Sequence, residues 1–193
     1  KRNSGDKEFV STVPHDLVYR DLGSSTETVI GNVPIPNISA SRQVVFGRSD
    51  APNNIVGGDF KDRLFGGGSG DLINGGGDND LLDGGAGNDI LIGGPGDDTA
   101  NGGVGSDQYE YNAGDEHLCI VGDDGLGRGS VKDRITIHVP ASAPPYDLGS
   151  GSLEREAAGS GSFIDDHGNR FNLDGTTLNI AIEDGGSITI EDF

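Results

Sequence analysis

The chain has 193 residues, 35 of them Gly, and is only 32% hydrophobic, which is too little apolar side chain for an ordinary large core. Its net charge of −19 disfavours nucleic acid and anionic membrane as partners. Cys119 is the single cysteine, so no internal disulfide can form, and no 18-residue apolar run exists to make a membrane span.

Residues 1–13 are polar and are expected to fray. No apolar signal-peptide core begins the chain and Met is absent, which reads as a processed product or an excised fragment. From His15 to Phe46 come short β-like runs: Leu17–Tyr19, Thr28–Ile30 and Gln43–Phe46. Pro34 and Pro36 interrupt them, and there is no helical period. Residues 1–46 are therefore expected to be an N-terminal flanking β segment. It either caps the Gly-rich stretch after it, because a solenoid end exposes strand edges and core, or is the tail of a preceding module.

Residues 57–110 divide into six contiguous nonapeptides beginning at Gly57, Gly66, Gly75, Gly84, Gly93 and Gly102. Each starts Gly-Gly. Each has Asp at its sixth position: Asp62, Asp71, Asp80, Asp89, Asp98 and Asp107. The eighth position holds Leu64, Ile73, Leu82, Leu91, Ala100 and Tyr109. Paired glycines allow backbone conformations closed to other residues, so six residues form a turn. The last three form a strand whose middle side chain points to a narrow core. Strands this short are stable only when stacked. At the fourth position Phe60, Ser69 and Asp78 replace the expected Gly, which makes those turns strained or looser. Ala100 narrows the core unless Tyr109 fills it.

The stretch G-G-x-G-x-D-x-U-x resembles the calcium-binding nonapeptide of the repeats-in-toxin (RTX), or hemolysin-type, family of secreted bacterial proteins. The resemblance implies an all-β fold, a right-handed parallel β-roll stapled by calcium, with two nonapeptides per coil. Repeats two apart then share a column. Asp62, Asp80 and Asp98 stack in one, and Asp71, Asp89 and Asp107 in the other. Carboxylates about 4.8 Å apart repel without a cation between them, and calcium takes six to eight oxygens, carboxylate and carbonyl alike. The metal-ligand set is thus these six aspartates with the backbone carbonyls of Gly66, Gly67, Gly75, Gly76, Gly84, Gly85, Gly87, Gly93, Gly94 and Gly96. Asn53, eighteen residues before Asp71, and Glu116, eighteen after Asp98, extend it at the two ends. About four to six Ca2+ ions are expected.

A Gly/Asp-rich low-complexity linker is the alternative, but such a linker does not hold Asp at one position of a nine-residue period six times running. Residues 57–110 carry ten Asp and Glu110 against Lys61 and Arg63, a net of −9. Without metal that is the composition of disorder, so folding is expected to be coupled to ion binding.

The roll is placed at residues 47–116 and a C-terminal β capping region at 117–193. Strands are expected at Leu118–Val121 and Arg134–Val139, with Gly122–Ser130 between them carrying Asp123 and Asp124, a turn able to hold one more ion. Cys119 lies in an apolar run and reads as a buried core thiol. Residues 140–162, rich in Ala, Ser, Pro and Gly, read as a loop or disordered insertion. Arg170–Leu173, Thr177–Ile182 and Ser187–Ile190 form an antiparallel meander turning at Asp174-Gly175 and Asp184-Gly185-Gly186. The ending also resembles the apolar strands that come after the repeats in RTX toxins.

No catalytic motif emerges. His15, His117, His138 and His167 are scattered, with no His-Glu-x-x-His. The nucleophile elbow, the phosphate loop and the EF-hand pattern are all missing. Asp165-Asp166-His167 reads as a solvated turn. The reading is a non-catalytic calcium module of a larger secreted, extracellular bacterial protein, with the type I secretion machinery as the partner the resemblance implies. The alternative is the adhesin or receptor-binding region of an RTX toxin or adhesin, meeting a host-cell or glycan receptor through the N-terminal segment or the 140–162 loop.

Overall fold

The computed structural model describes residues 17–23, 26–30, 42–122, 133–138, 145–148, 154–155, 162–183 and 185–191. Among them the chain is all β, without a helix. Strands β1 (Leu17–Asp21), β2 (Thr26–Ile30) and β3 (Arg42–Phe46) precede the repeats. The repeats supply β4 (Asn54–Gly58), β5 (Arg63–Gly68), β6 (Leu72–Gly76), β7 (Leu81–Ala86), β8 (Ile90–Ile92), β9 (Asp97–Val104) and β10 (Gln108–Asn112). Beyond them lie β11 (His117–Ile120), β12 (Arg134–His138), β13 (Tyr146–Asp147) and β14 (Glu154–Arg155). The last four are β15 (Ser162–Ile164), β16 (Arg170–Asp174), β17 (Thr177–Ala181) and β18 (Ser187–Ile190).

Successive repeat strands alternate between two sheets, so the chain winds as a parallel β-solenoid. One sheet runs β14-β15-β16-β17-β18-β11-β9-β7-β5-β3-β1-β2 and the other β13-β12-β10-β8-β6-β4. From β3 to β11 in the first sheet and from β4 to β12 in the second, all pairings are parallel. Most of the repeat strands exceed three residues, because coils also pair through their turn glycines, Gly58 with Gly76 and Gly67 with Gly85.

The eighth-position side chains form two apolar columns facing each other. Val45, Leu64, Leu82, Ala100 and Ile120 stack in one sheet, and Ile55, Ile73, Leu91, Tyr109 and Ile135 in the other. All are buried. Where Ala100 leaves space, Tyr109 reaches across, and its hydroxyl accepts the Gly102 N–H at 2.7 Å.

The C-terminal meander pairs β16, β17 and β18 antiparallel, and β18 runs parallel to β11. It closes the apolar column with Ile180, Ile188 and Ile190. The buried Tyr111 pins the meander to the roll, its hydroxyl donating to the Asp115 carbonyl beside Gly185.

Three expectations change. Cys119 is not in the core: Leu118 and Ile120 turn inward and Cys119 faces outward, half-buried, because side chains alternate along β11. Asp165 is not solvated. It is buried, its Oδ1 accepting the N–H groups of His167 and Asn169 and its Oδ2 the Asn169 amide, while His167 stacks on Tyr146 at 3.7 Å. Residues 140–162 are not wholly loop, since β13 and β14 lie there. Residues 1–13, Pro34, Pro36 and the Asp123–Ser130 turn lie outside the described residues.

The fourth turn position separates by residue type. Gly87, Gly96 and Gly105 sit at φ of 143°, 143° and 155°, whereas Ser69 and Asp78 sit at 72° and 69°. Ser69 and Asp78 thus take the left-handed helical region while Phe60 is not at positive φ; that region costs most residues energy but is eased for Asp by local hydrogen bonding. Asp78 has that help, accepting the Asn79 N–H at 2.8 Å. Ser69→Gly is therefore expected to raise stability by up to about 1 kcal/mol, read as a higher urea midpoint. Ser69→Ala, which keeps the Cβ, should give no gain.

Candidate metal centre

The sixth-position aspartates are more buried than charged side chains ordinarily are: Asp62, Asp71, Asp80, Asp89, Asp98 and Asp107 are each 3% exposed or less. They form two ladders, one at each end of the flattened coil. In the first, the Asp62 N–H donates to Asp80 Oδ1 at 2.7 Å and the Asp80 N–H to Asp98 Oδ1 at 2.8 Å. In the second, the Asp71 N–H donates to Asp89 Oδ1 at 2.7 Å and the Asp89 N–H to Asp107 Oδ1 at 2.8 Å. Each carboxylate thus ties the turn of the preceding coil in its column.

One oxygen of each carboxylate is engaged in this bond. The other is not always satisfied: the Oδ2 atoms of Asp71, Asp80 and Asp89 are buried without a hydrogen-bond partner. None of Asp62, Asp71, Asp80, Asp89 and Asp98 is paired with a basic side chain, the ion pairs lying elsewhere on the surface. Burial therefore holds Asp62, Asp80, Asp89 and Asp98 toward their neutral form. It pushes Asp62 and Asp89 up to about 6, Asp98 to about 7 and Asp80 to about 8, with neighbouring carboxylates adding to the shift.

The first-position glycines explain how the oxygens are brought together. These glycines are not at positive φ. Their requirement is space: a Cβ on Gly66 would lie 2.5 Å from Asp71 Oδ2 and 2.6 Å from the Gly84 carbonyl oxygen. The same crowding recurs at Gly75, against Asp80 and the Gly93 carbonyl, and at Gly84, against Asp89 and the Gly102 carbonyl. A carboxylate oxygen and a carbonyl oxygen thus converge in each cradle. The carbonyls of Gly67, Gly76 and Gly85 face the second-position glycine of the next coil in their column. Among the described residues no three His, Cys, Asp or Glu side chains cluster, so an ion here would take much of its shell from the backbone. Buried carboxylate oxygens without a hydrogen-bond partner, set beside converging backbone carbonyls, fit calcium.

The two ends of the ladders differ from the periodic expectation. Asn53 does stand over Asp71, its N–H donating to Asp71 Oδ1 at 2.7 Å. Its side chain brings a donor and not a ligand oxygen: Nδ2 contacts Asp71 Oδ1 (2.8 Å) and the carbonyls of Arg48, Ala51 and Gly66 (3.1, 3.1 and 3.2 Å). An amide NH2 thus sits among four oxygens. Gln43 opens the other ladder, its N–H donating to Asp62 Oδ1 at 2.5 Å. Glu116 is exposed and does not reach its ladder; Leu118 is the residue paired with Asp98.

Asp133 escaped the periodic reading. Its Oδ1 accepts the Asp107 N–H at 2.6 Å, which makes it the next rung of the second ladder. It stands twenty-six residues after Asp107, so an eighteen-residue period misses it. The available signal was its place before the apolar strand Arg134–Val139, matching Asp107 before Gln108–Tyr111.

In calcium-free buffer the folded pKa values of Asp62, Asp80, Asp89 and Asp98 exceed the unfolded value of about 3.9. The native state then binds more protons, so stability is present below about pH 4 and is lost as pH rises through 6 to 8. The calcium-free chain should therefore gain β structure as pH is lowered through that window, read by far-UV circular dichroism. Asn53→Asp replaces the half-buried donor by an acceptor among oxygens, and should cost about 1–3 kcal/mol at calcium just sufficient for folding. Further calcium should recover most of that loss in a thermal melt.

A family model described as the RTX calcium-binding nonapeptide repeat, four copies, matches residues 49–82, 56–91 and 83–115. No curated protein matches the chain. Such repeats bind Ca2+, and four of them accommodate several ions. The coils that carry the aspartate ladders, residues 49–115, are RTX calcium-binding repeats wound as a parallel β-roll.

Proposed function

We propose that this chain is the calcium-responsive folding module of a larger secreted bacterial protein, unfolded where calcium is scarce and folded by extracellular calcium. The observation that carries the reading is the pair of buried ladders: five carboxylates, Asp62, Asp71, Asp80, Asp89 and Asp98, without a basic partner. Stacked like charges in a low-dielectric interior oppose folding until a cation joins them. Calcium ions would lie between Asp62 and Asp80, Asp80 and Asp98, Asp71 and Asp89, and Asp89 and Asp107. The first- and second-position glycine carbonyls would complete their shells. Because the ion binds only the wound form, its binding free energy becomes folding free energy.

In this reading residues 47–116 are the ion-binding unit, 1–46 its N-terminal flank and 117–193 its cap. The acidic, Gly-rich chain, unfolded at low cytosolic calcium, is suited to threading a narrow type I secretion channel. Winding outside the cell would oppose its return and provide a base on which the rest of the protein folds. The meander β16–β18 adds Phe171, Ile180, Ile188 and Ile190 to the end of the apolar core, which suits it to starting the winding. Catalysis or receptor binding would then belong to other parts of the parent protein.

Far-UV circular dichroism during a calcium titration, with magnesium as the control ion, tests this reading. A cooperative coil-to-β transition with calcium alone is expected. A full β spectrum in chelator, unchanged by calcium, would remove the folding switch and leave the ions as local reinforcement.

A further inference from the structure

We infer that the calcium array runs one interval past the repeats, with an additional Ca2+ site between Asp107 and Asp133. The inference rests on the calcium reading above and concerns an interval whose outer rung, Asp133, lies beyond the matched repeats, which end at 115.

Every step of the second ladder is made by the same two bonds. The N–H of one aspartate donates to the Oδ1 of the next, and the N–H of the residue after the next aspartate donates back to the first one's carbonyl. For Asp89 and Asp107 these are Asp89 N–H to Asp107 Oδ1 and Gln108 N–H to the Asp89 carbonyl, both 2.8 Å. For Asp107 and Asp133 they are Asp107 N–H to Asp133 Oδ1 at 2.6 Å and Arg134 N–H to the Asp107 carbonyl at 2.8 Å. The strands after these aspartates are in the same register, Gln108 on Arg134 and Tyr109 on Ile135. Asp133 therefore holds the sixth position of a further coil, although eight more residues separate it from Asp107 than separate Asp107 from Asp89.

The place has room and charge for an ion. A cleft of about 420 Å³ opens there, lined by Ser106, Asp107, Gln108, Asp133 and Arg134. The Arg134 guanidinium is hydrogen-bonded to Gln108 Oε1 and lies 3.5 Å from Asp147. The Asp133 carboxylate faces the buried Asp107 as the Asp107 carboxylate faces Asp89. The first ladder has no such continuation: Leu118 stands on Asp98 and Ile188 on Leu118, which puts hydrocarbon where the next oxygen would be. The array is thus lopsided, with one column ending in apolar packing and the other in a carboxylate that can hold a further hard cation. An ion there would join the last repeat to β12 and so to the capping sheet.

Bound calcium per chain, counted by equilibrium dialysis with the full chain, tests the site. Asp133→Asn keeps an Oδ1 acceptor for the Asp107 N–H, so the coil is retained while the charge is removed. One ion fewer is expected, with the remaining ions held at unchanged affinity, and Glu116→Gln should match wild type. Wild-type stoichiometry and affinity in Asp133→Asn would overturn the site while leaving the calcium module intact. Loss of every ion in Asp133→Asn would also overturn it, because a terminal interval must be separable from those before it. A wild-type chain that binds no calcium overturns both this site and the proposed function.

Discussion

The bond from an aspartate N–H to the carboxylate one coil further on is the interaction on which the structure depends. It fixes the stacking of turns, and it can form only if the carboxylate is drawn inside. Once inside, the second carboxylate oxygen has to go somewhere, and the first-position glycine is what makes room for it. The apolar columns behind the turns are only one side chain wide at each level, Leu82 or Leu91 for example. Such a core supplies modest hydrophobic stabilisation per coil and cannot by itself offset several buried charges. On the proposed reading, the need for a cation is built into the same bond that aligns the coils.

On the proposed reading the interior contains both ion-dependent and ion-independent parts. At the N-terminal end Asn53 places an amide NH2 among four oxygens, a neutral group in the role a cation takes elsewhere in the column. At the C-terminal end the meander packs Phe171, Ile180, Ile188 and Ile190 in the ordinary apolar manner. The demanding middle is thus bracketed by ends that can order without an ion, which suits stepwise winding from either side.

Much of this was legible because the repeat is periodic in chemistry as well as in spacing. Asp at one position, glycine pairs ahead of it and an apolar residue two places after it define turn, ladder and column together. What was not legible lies where the period breaks. Glu116 has the right arithmetic but the wrong place, because the coil ending at β11 is two residues longer and sets Leu118 on Asp98. Asp133 was hidden by a longer excursion of the chain that returns to the same register. Asn53 was visible as a position, but whether its oxygen or its nitrogen faces the column depends on carbonyls brought in from Arg48, Ala51 and Gly66. The first-position glycines were read as conformational when the structure makes them steric. Cys119 and Asp165 show the same limit: an apolar run does not say which residue of a strand turns inward, and a charged turn does not say whether its acid is bound to its own backbone.

Identical rungs carry a hazard. Because neighbouring coils present nearly the same chemistry, a nascent array could wind one coil out of phase and still align most aspartates and most apolar residues. Asn53 and Leu118 are the features that make such a slip unfavourable. A shift that moved Asn53 inward would set its amide against a stack built for acceptors. One that moved Leu118 along would press hydrocarbon onto an aspartate that needs an oxygen neighbour. The irregular ends thus act as punctuation, telling a repetitive sequence where to begin counting.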